Sequence, residues 1–393
     1  CGSVFADRAA DTVNECITQS IVAPSVAAEC AGVSAQRQSL ILRTTSLVGF
    51  LIACSAPIMG AVADNSGRKK LYMALFSLIY VFGAMGLWYA FPLMENYIYI
   101  LILFALGLFG MELSQVFINS MLPDMGSEKE IGQISSNGWA LGYVGGLVLL
   151  FIMLFFFFDD DKGLTILKIP PILGLDPLAK EGTRAAGPLT AIWYMVFIIP
   201  FFLWVPDSKP KATKTTARTS LTELINTIKG LKNDTSLAAF LTSSMFYRDA
   251  LVGVYAVGGI YAKGVLDWSQ IQLAIFGIVG GLSGALFTFL GGYIERSLGS
   301  KRTITMTIWI MVLISIVLVG TTKTTFMGVD LADGSSLPTK ILYFAGVVIG
   351  AAGGIMQASS RTMLVKQANQ ERMTEAFGLY ALTGKSTAWI TTL

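Results

Sequence analysis

Apolar residues dominate ten stretches of this chain, near residues 44 to 63, 71 to 90, 97 to 120, 138 to 158, 188 to 205, 238 to 262, 270 to 293, 303 to 321, 341 to 360 and 374 to 393. Each is close to the roughly 20 residues that a helix needs to cross a bilayer. In lipid every backbone polar group must be satisfied inside the segment, and these runs are too long and too evenly apolar for barrel strands. The pattern therefore predicts ten transmembrane α-helices. Between them the polar residues gather into short turns. The sharpest is "GAVADNSGRKK" from residue 60, which sets a carboxylate and three basic residues between two apolar runs.

Composition narrows the class. Of 393 residues 54% are hydrophobic and 13% charged, where a soluble domain carries about 25% charged residues. A water-soluble fold could not hide that much apolar surface. The net charge of +3 offers no basic footprint, so nucleic acid is not expected as a partner. Histidine is absent and the four cysteines show no metal-ligand spacing, so neither a metal nor a cofactor is expected. Cys16 and Cys30 are expected as free thiols, because Cys1 makes the count in their segment odd and Cys54 lies in an apolar run.

The distribution of charge orients the helices. If the turn with Arg68, Lys69 and Lys70 faces the cytoplasm, so do the loops near 121 to 137, 206 to 235, 294 to 302 and 361 to 373. Together these hold about 16 Lys and Arg against about 10 on the opposite side, as the positive-inside rule requires. The opposite side carries Asp159, Asp160 and Asp161. With this orientation residues 1 to 42 form an exterior segment after a further helix, and the ten visible helices become eleven of an expected twelve. The start at Cys1 and the stop within an apolar run point to a piece of a longer chain, with no signal peptide visible.

Residues 206 to 219, "PDSKPKATKTTART", interrupt the apolar pattern after the fifth run and read as a linker between two helical bundles, 43 to 205 and 237 to 393. Ser220 and Glu223 have capping-box spacing, and Leu221, Leu224, Ile225, Ile228 and Leu231 fall near one face. They predict a short amphipathic helix on the cytoplasmic surface within linker residues 206 to 236. Beyond the linker the opening turn recurs as "GGYIERSLGSKR", residues 291 to 302. Gly60 and Gly291 each precede a carboxylate by four positions, Asp64 and Glu295, and each carboxylate leads to a glycine, Gly67 or Gly299, and basic residues, Arg68 or Arg296 among them. The chain contains an internal repeat.

Two bundles joined by a basic loop, with this turn in each half, resemble the major facilitator superfamily. The first copy keeps Gly60, Asp64, Gly67 and Arg68 of the family turn but has Asn65 where a basic residue is usual, and the second copy has one extra residue and Ser300 after its glycine. The resemblance implies an all-α membrane protein of two pseudo-symmetric six-helix bundles, here without the first helix and the C-terminal end. In physical terms the glycine lets a neighbouring helix approach, and the carboxylate can meet that helix's positive N-terminal end. The motif would form a cytoplasmic gate together with Arg361. "VFINSMLPDM", "SSNGWALGYVGGLVLL", "MFYRDAL" and "MQASSRTMLVKQANQERMTEAFGLYALTGKSTAW" are similar to the vacuole effluxer family of amino-acid exporters and its bacterial relatives. The Tyr-Asp-Trp-Ala-Asn-Ser-type first helix of the bacterial members is not in this chain.

An ionisable group in lipid is costly and marks a functional candidate. Glu112, Gln115 and Asn119 share a helix face, which either lines a central cavity or forms a packing network. Arg248, near Ser244, Tyr247 and Tyr255, would hold a substrate carboxylate in a polar wall or form a packing salt bridge. Its neighbour Asp249 points elsewhere. Proton coupling without histidine would run through carboxylates, Glu112 first and Asp249 second. Gln357, Ser359, Ser360 and Arg361 end the ninth run near the gate, and Lys385 adds another cavity charge. Gly138, Gly142, Gly145 and Gly146, and likewise Gly280, Gly281, Gly284, Gly346, Gly350, Gly353 and Gly354, are expected to allow close helix packing.

These features predict a monomeric secondary transporter in the lipid bilayer that moves a small-molecule polar solute, in keeping with amino acids, with protons as coupling ion and in the efflux direction. A bacterial cytoplasmic membrane is expected rather than a vacuolar one. The alternative is a transport-inactive sensor or scaffold on a transporter fold, which gains little from buried charge. An enzyme is not expected, since no nucleophile and base pair, metal cluster or P-loop is present.

Overall fold

The computed structural model describes residues 24–91, 98–160, 163–177, 179–207, 217–266, 268, 270–332 and 334–385. Its helices are α1 (Pro24–Ser66), α2 (Lys69–Gly86), α3 (Ile98–Ser120), α4 (Ile131–Phe156), the single turn α5 (Glu181–Arg184), α6 (Ala186–Trp204), α7 (Ala217–Gly230), α8 (Thr235–Leu266), α9 (Gln270–Leu298), α10 (Ser300–Val319), α11 (Leu337–Gln367) and α12 (Met373–Lys385). Among the described residues eight helical segments are long and apolar enough to cross a membrane. The expected runs at 238 to 262 and 374 to 393 appear as α8 and α12, the latter described as far as Lys385.

Residues 24 to 42, part of the expected exterior segment, continue α1 as helix. The pairing of Cys16 with Cys30 lies outside the described side chains, and Cys54 is a free, exposed thiol. A second correction concerns the linker. α7 starts at Ala217, so Ser220 and Glu223 lie inside the helix and do not form its capping box. Their polar atoms turn instead to Asn65, whose Nδ2 donates to Ser220 Oγ at 2.9 Å and to Glu223 Oε2 at 2.8 Å.

The helices fall into two groups on either side of α7. In the first, α2 packs on α3 and α6 and α1 packs on α3; in the second, α11 packs on α8, α9 and α10. The repeated turn places a left-handed glycine in both copies. Gly67 and Gly299 hold φ of +63° and +82°, a region that strains any residue with a Cβ. The helices that lead into those turns, α1 and α9, each cross to the other group, α1 against α12 and α9 against α4. The repeat therefore supplies both seams between the halves.

Close packing at the second set of glycines occurs as expected. Gly350 lies on the carbonyl of Gly280, and Gly284 lies beneath the ring of Tyr143. The first set behaves differently. Gly138, Gly142 and Gly146 face open space, and Gly145 meets only Trp193 at van der Waals distance.

At the end opposite the repeated turns, the guanidinium of Arg184 is held between the rings of Trp88 and Phe91, 4.8 and 3.9 Å from their centroids, and donates from Nε to the Trp88 carbonyl at 2.8 Å. A two-residue hairpin, β1 (Thr325–Phe326) with β2 (Val329–Asp330), lies between α10 and α11.

Candidate functional site

The charged residues singled out above converge on the seam between the halves. At the basic end Asp64 is buried, 5% exposed, and its carboxylate takes over the start of α12. Oδ1 accepts the Thr374 backbone N–H at 3.2 Å and its hydroxyl at 2.6 Å, and Oδ2 accepts the Glu375 backbone N–H at 2.8 Å. These N–H groups belong to the first turn of a helix and have no partner within it. Gly60, one turn earlier on α1, makes this possible. A Cβ there would come 2.5 Å from the Thr374 carbonyl oxygen and 2.9 Å from the Glu375 Cα. Lys69 Nζ stands 3.6 Å from Asp64 Oδ1 and balances its charge.

Glu295 repeats the placement with different partners. It is buried against the start of α4, where a Cβ on Gly132 would meet its carboxyl carbon at 3.1 Å. Its hydrogen bonds come from Ser300 Oγ at 2.6 Å and Ser359 Oγ at 3.0 Å, and Lys366 Nζ lies 3.7 Å away. Gly291 lets Ile355 of α11 approach. Arg68 on the first turn and Arg296 near the end of α9 are exposed.

Arg361 of α11 crosses the seam. Nη1 donates to Asn119 Oδ1 of α3 at 2.9 Å, Nη2 donates to the Ser135 carbonyl of α4 at 2.6 Å, and the guanidinium lies 4.6 Å over the Trp139 ring. Ser135 Oγ returns a bond to the Ala358 carbonyl at 2.9 Å. Asn119 therefore joins the contacts around Arg361. Of the expected polar stripe, Gln115 is exposed and Glu112 reaches α12, where its Oε1 lies 2.6 Å from Lys385 Nζ.

Arg248 of α8 lies along the same helix. Its guanidinium carbon is 3.8 Å from the centroid of the Tyr380 ring, Nη1 donates to the Tyr380 carbonyl at 2.7 Å, and the chain passes it at Gly384. Asp249 follows Arg248 on α8. Glu112, Lys385 and Arg248 thus gather at α12. Of the residues expected to form a wall with Arg248, Ser244 is fully buried and Tyr247, its sequence neighbour, turns to Ser360 of α11, hydroxyl to hydroxyl at 2.8 Å, since adjacent helical positions diverge by about 100°. Gln357 is half-buried one turn before Arg361.

Sequence reasoning did not single out Thr374, Ser135 and Tyr380 as partners. Thr374 and Glu375 had a legible signal, as polar residues opening an apolar run; the other two accept the arginine hydrogen bonds at backbone carbonyls, which no side-chain pattern reveals. Among the described residues no group of three His, Cys, Asp or Glu could hold a metal ion.

Comparison with known proteins gives this geometry a context. The chain matches the family described as "Vacuole effluxer Atg22 like" over residues 6–393. It belongs to that vacuole effluxer family. A curated relative, the uncharacterized MFS-type transporter YxiO of Bacillus subtilis strain 168, is 23% identical over 362 residues, spanning 92% of this chain and 78% of YxiO. The proton:xylose symporter XylE, solved with 6-bromo-6-deoxy-D-glucose, shares the fold with a TM-score of 0.62 at 13% identity, over 99% of this chain and 84% of XylE. The human organic anion transporter MFSD10 does so with a TM-score of 0.61 at 16% identity, over 98% and 88%. This vacuole effluxer family member is thus a multi-pass membrane protein with the major facilitator fold, and its function is that of a major facilitator transporter.

Proposed function

We propose that this transporter moves small zwitterionic solutes, amino acids foremost, by alternating access, as a proton-coupled secondary transporter working in the efflux direction. The observation that carries the reading is the Glu112–Lys385 contact at 2.6 Å between α3 and α12, with Arg248 and Asp249 of α8 beside it. An ion pair that bridges two halves is made in one arrangement and broken in another. A solute bearing a carboxylate and an ammonium can replace both partners at once, the carboxylate meeting Lys385 and Arg248 and the ammonium meeting Glu112 and Asp249. A solute with one charge would leave a partly buried ion unpaired, which is costly.

The remaining parts of the reading have separate support. A chain without histidine would carry the proton on a carboxylate, Glu112 first and Asp249 second. The basic residues around Asp64 favour the cytoplasm for that end, so the Asp64 and Arg361 contacts shut the inward path in this arrangement. Efflux follows the name of the family, and the Bacillus relative favours a bacterial cytoplasmic membrane. The site is assembled from both halves of one chain, in keeping with a monomer.

The test is made on the full-length protein in proteoliposomes on a solid-supported membrane, recording charge movement after amino-acid pulses and pH steps. Currents that appear with substrate and vanish in Glu112→Gln support coupled transport through this site. Silence across the amino-acid panel in folded protein overturns the amino-acid assignment.

A further inference from the structure

The contacts of α7 lie beside the Asp64 contact but involve different residues. Asn65, which stands where the resembling superfamily usually has a basic residue, donates to Glu223 Oε2 at 2.8 Å. The same oxygen lies 3.0 Å from Arg372 Nη2, just before α12. Arg372 Nη1 donates to Thr227 Oγ1 at 3.0 Å and to Glu375 Oε2 at 3.3 Å. One carboxylate oxygen on the linker helix therefore touches the first half through Asn65 and the second through Arg372.

The identity of residue 65 fits this arrangement. An amide donates a hydrogen bond without charge, so it seats Glu223 while leaving the carboxylate's charge to Arg372. A basic residue there would compete with Arg372. Next to Glu223, Leu224 is 4% exposed and anchors α7 in the core, while Leu221, Ile225 and Ile228 present an exposed apolar edge on the other flank. A cavity of about 410 Å³ lies between α7 and α12, bordered by Glu223, Thr227, Leu231, Arg372, Glu375 and Leu379. The helix is thus held through Ser220, Glu223, Thr227 and Leu224 and has open volume next to it.

We infer that Glu223 is a positioning residue of the gate: α7 is a clasp that holds the basic end shut by bridging Asn65 and Arg372, and it releases when that end opens. Asn65 adjoins Asp64, and Glu375 binds Asp64 through its backbone and Arg372 through its side chain. Drawing α1 away from α12 therefore breaks the Asp64 cap and the Glu223 bridge in one motion. The two contacts act in parallel, and the clasp adds to the gate a segment that is covalently tied to both halves.

The inference rests on alternating access, but its test reads conformation without any substrate, so failure of the amino-acid assignment leaves it standing. Spin labels are placed at Lys129→Cys and Lys301→Cys, both exposed at the basic end and one in each half, in the full-length chain with its native cysteines replaced by serine. Electron–electron double resonance then reports the separation. Glu223→Gln and Arg372→Gln are each expected to raise the long-distance population about fivefold, as for loss of a partly exposed ion pair, and the double variant no further than either. Asn65→Asp, which sets a like charge against Glu223, is expected to open the seam as well and serves where another variant fails to fold. Lys229→Gln, exposed on the same helix, is expected to match the parent. Unchanged distances in the folded Glu223 and Asn65 variants, or equal opening in Lys229→Gln, would overturn the clasp.

Discussion

Asp64 accepts the backbone N–H of Glu375 at 2.8 Å across 311 positions of sequence, so the carboxylate of a turn in the first half serves as the cap of a helix in the second. Asp64→Asn keeps one acceptor oxygen but sets an amide against backbone donors and removes the charge at the helix end. The expected loss is about 1 kcal/mol at the seam. It should appear as a rise in labelling of a cysteine placed at the buried Ala376, measured with a membrane-impermeant thiol reagent in inside-out vesicles.

Gly60 and Gly142 make a matched pair of glycine tests. Gly60→Ala places a Cβ 2.5 Å from a backbone oxygen of α12, and neither backbone can yield without parting the helices. Destabilisation of about 1–3 kcal/mol is expected. Gly142→Ala meets nothing within 4 Å and gains helix propensity, so its melting temperature should stay level or rise. Tryptophan fluorescence on heating in detergent distinguishes the two.

Glu112 and Lys385 should show the asymmetry of a partly buried pair. Removing one partner, by Glu112→Gln or Lys385→Met, leaves the other ion without its counter-charge and is expected to cost about 1–3 kcal/mol. The double variant should regain much of that stability while its transport currents stay absent. Currents that returned together with stability would separate the pair from the transport path.

Arg361→Lys keeps the charge of the seam but not its fork. An ammonium cannot hold Asn119 and the Ser135 carbonyl in the guanidinium's fixed geometry while stacked on Trp139. Initial transport rates are expected to fall about tenfold, in line with loss of a charged hydrogen bond, and Asn119→Ala should fall less because the Ser135 bond persists.

Much of the architecture was legible because a bilayer leaves few local choices. A run of apolar residues of spanning length must become a helix wherever it sits, and the expected runs correspond to α1 through α12 apart from the short α5 and α7, with the tenth described to Lys385. The Gly–carboxylate–Gly turns were legible too, since Gly67 and Gly299 answer to a backbone angle that is a local property. The linker helix was foreseen, but its start was not. Ser220 and Glu223 have a spacing that suits a cap, and only the arrival of Asn65 gave them other partners.

The sequence by itself thus determined the helices, the repeat and the list of costly charges, because each depends on residues within a few turns of one another. Only the tertiary structure decided which groups meet. Gly142 and Gly350 sit in equally glycine-rich runs, yet one faces open space and the other lies on Gly280. Asn119 belongs with Arg361 and Glu112 with Lys385, 242 and 273 positions away. Those pairings depend on how two bundles lie against each other, and a helix's own sequence carries its faces but not the face it will find opposite.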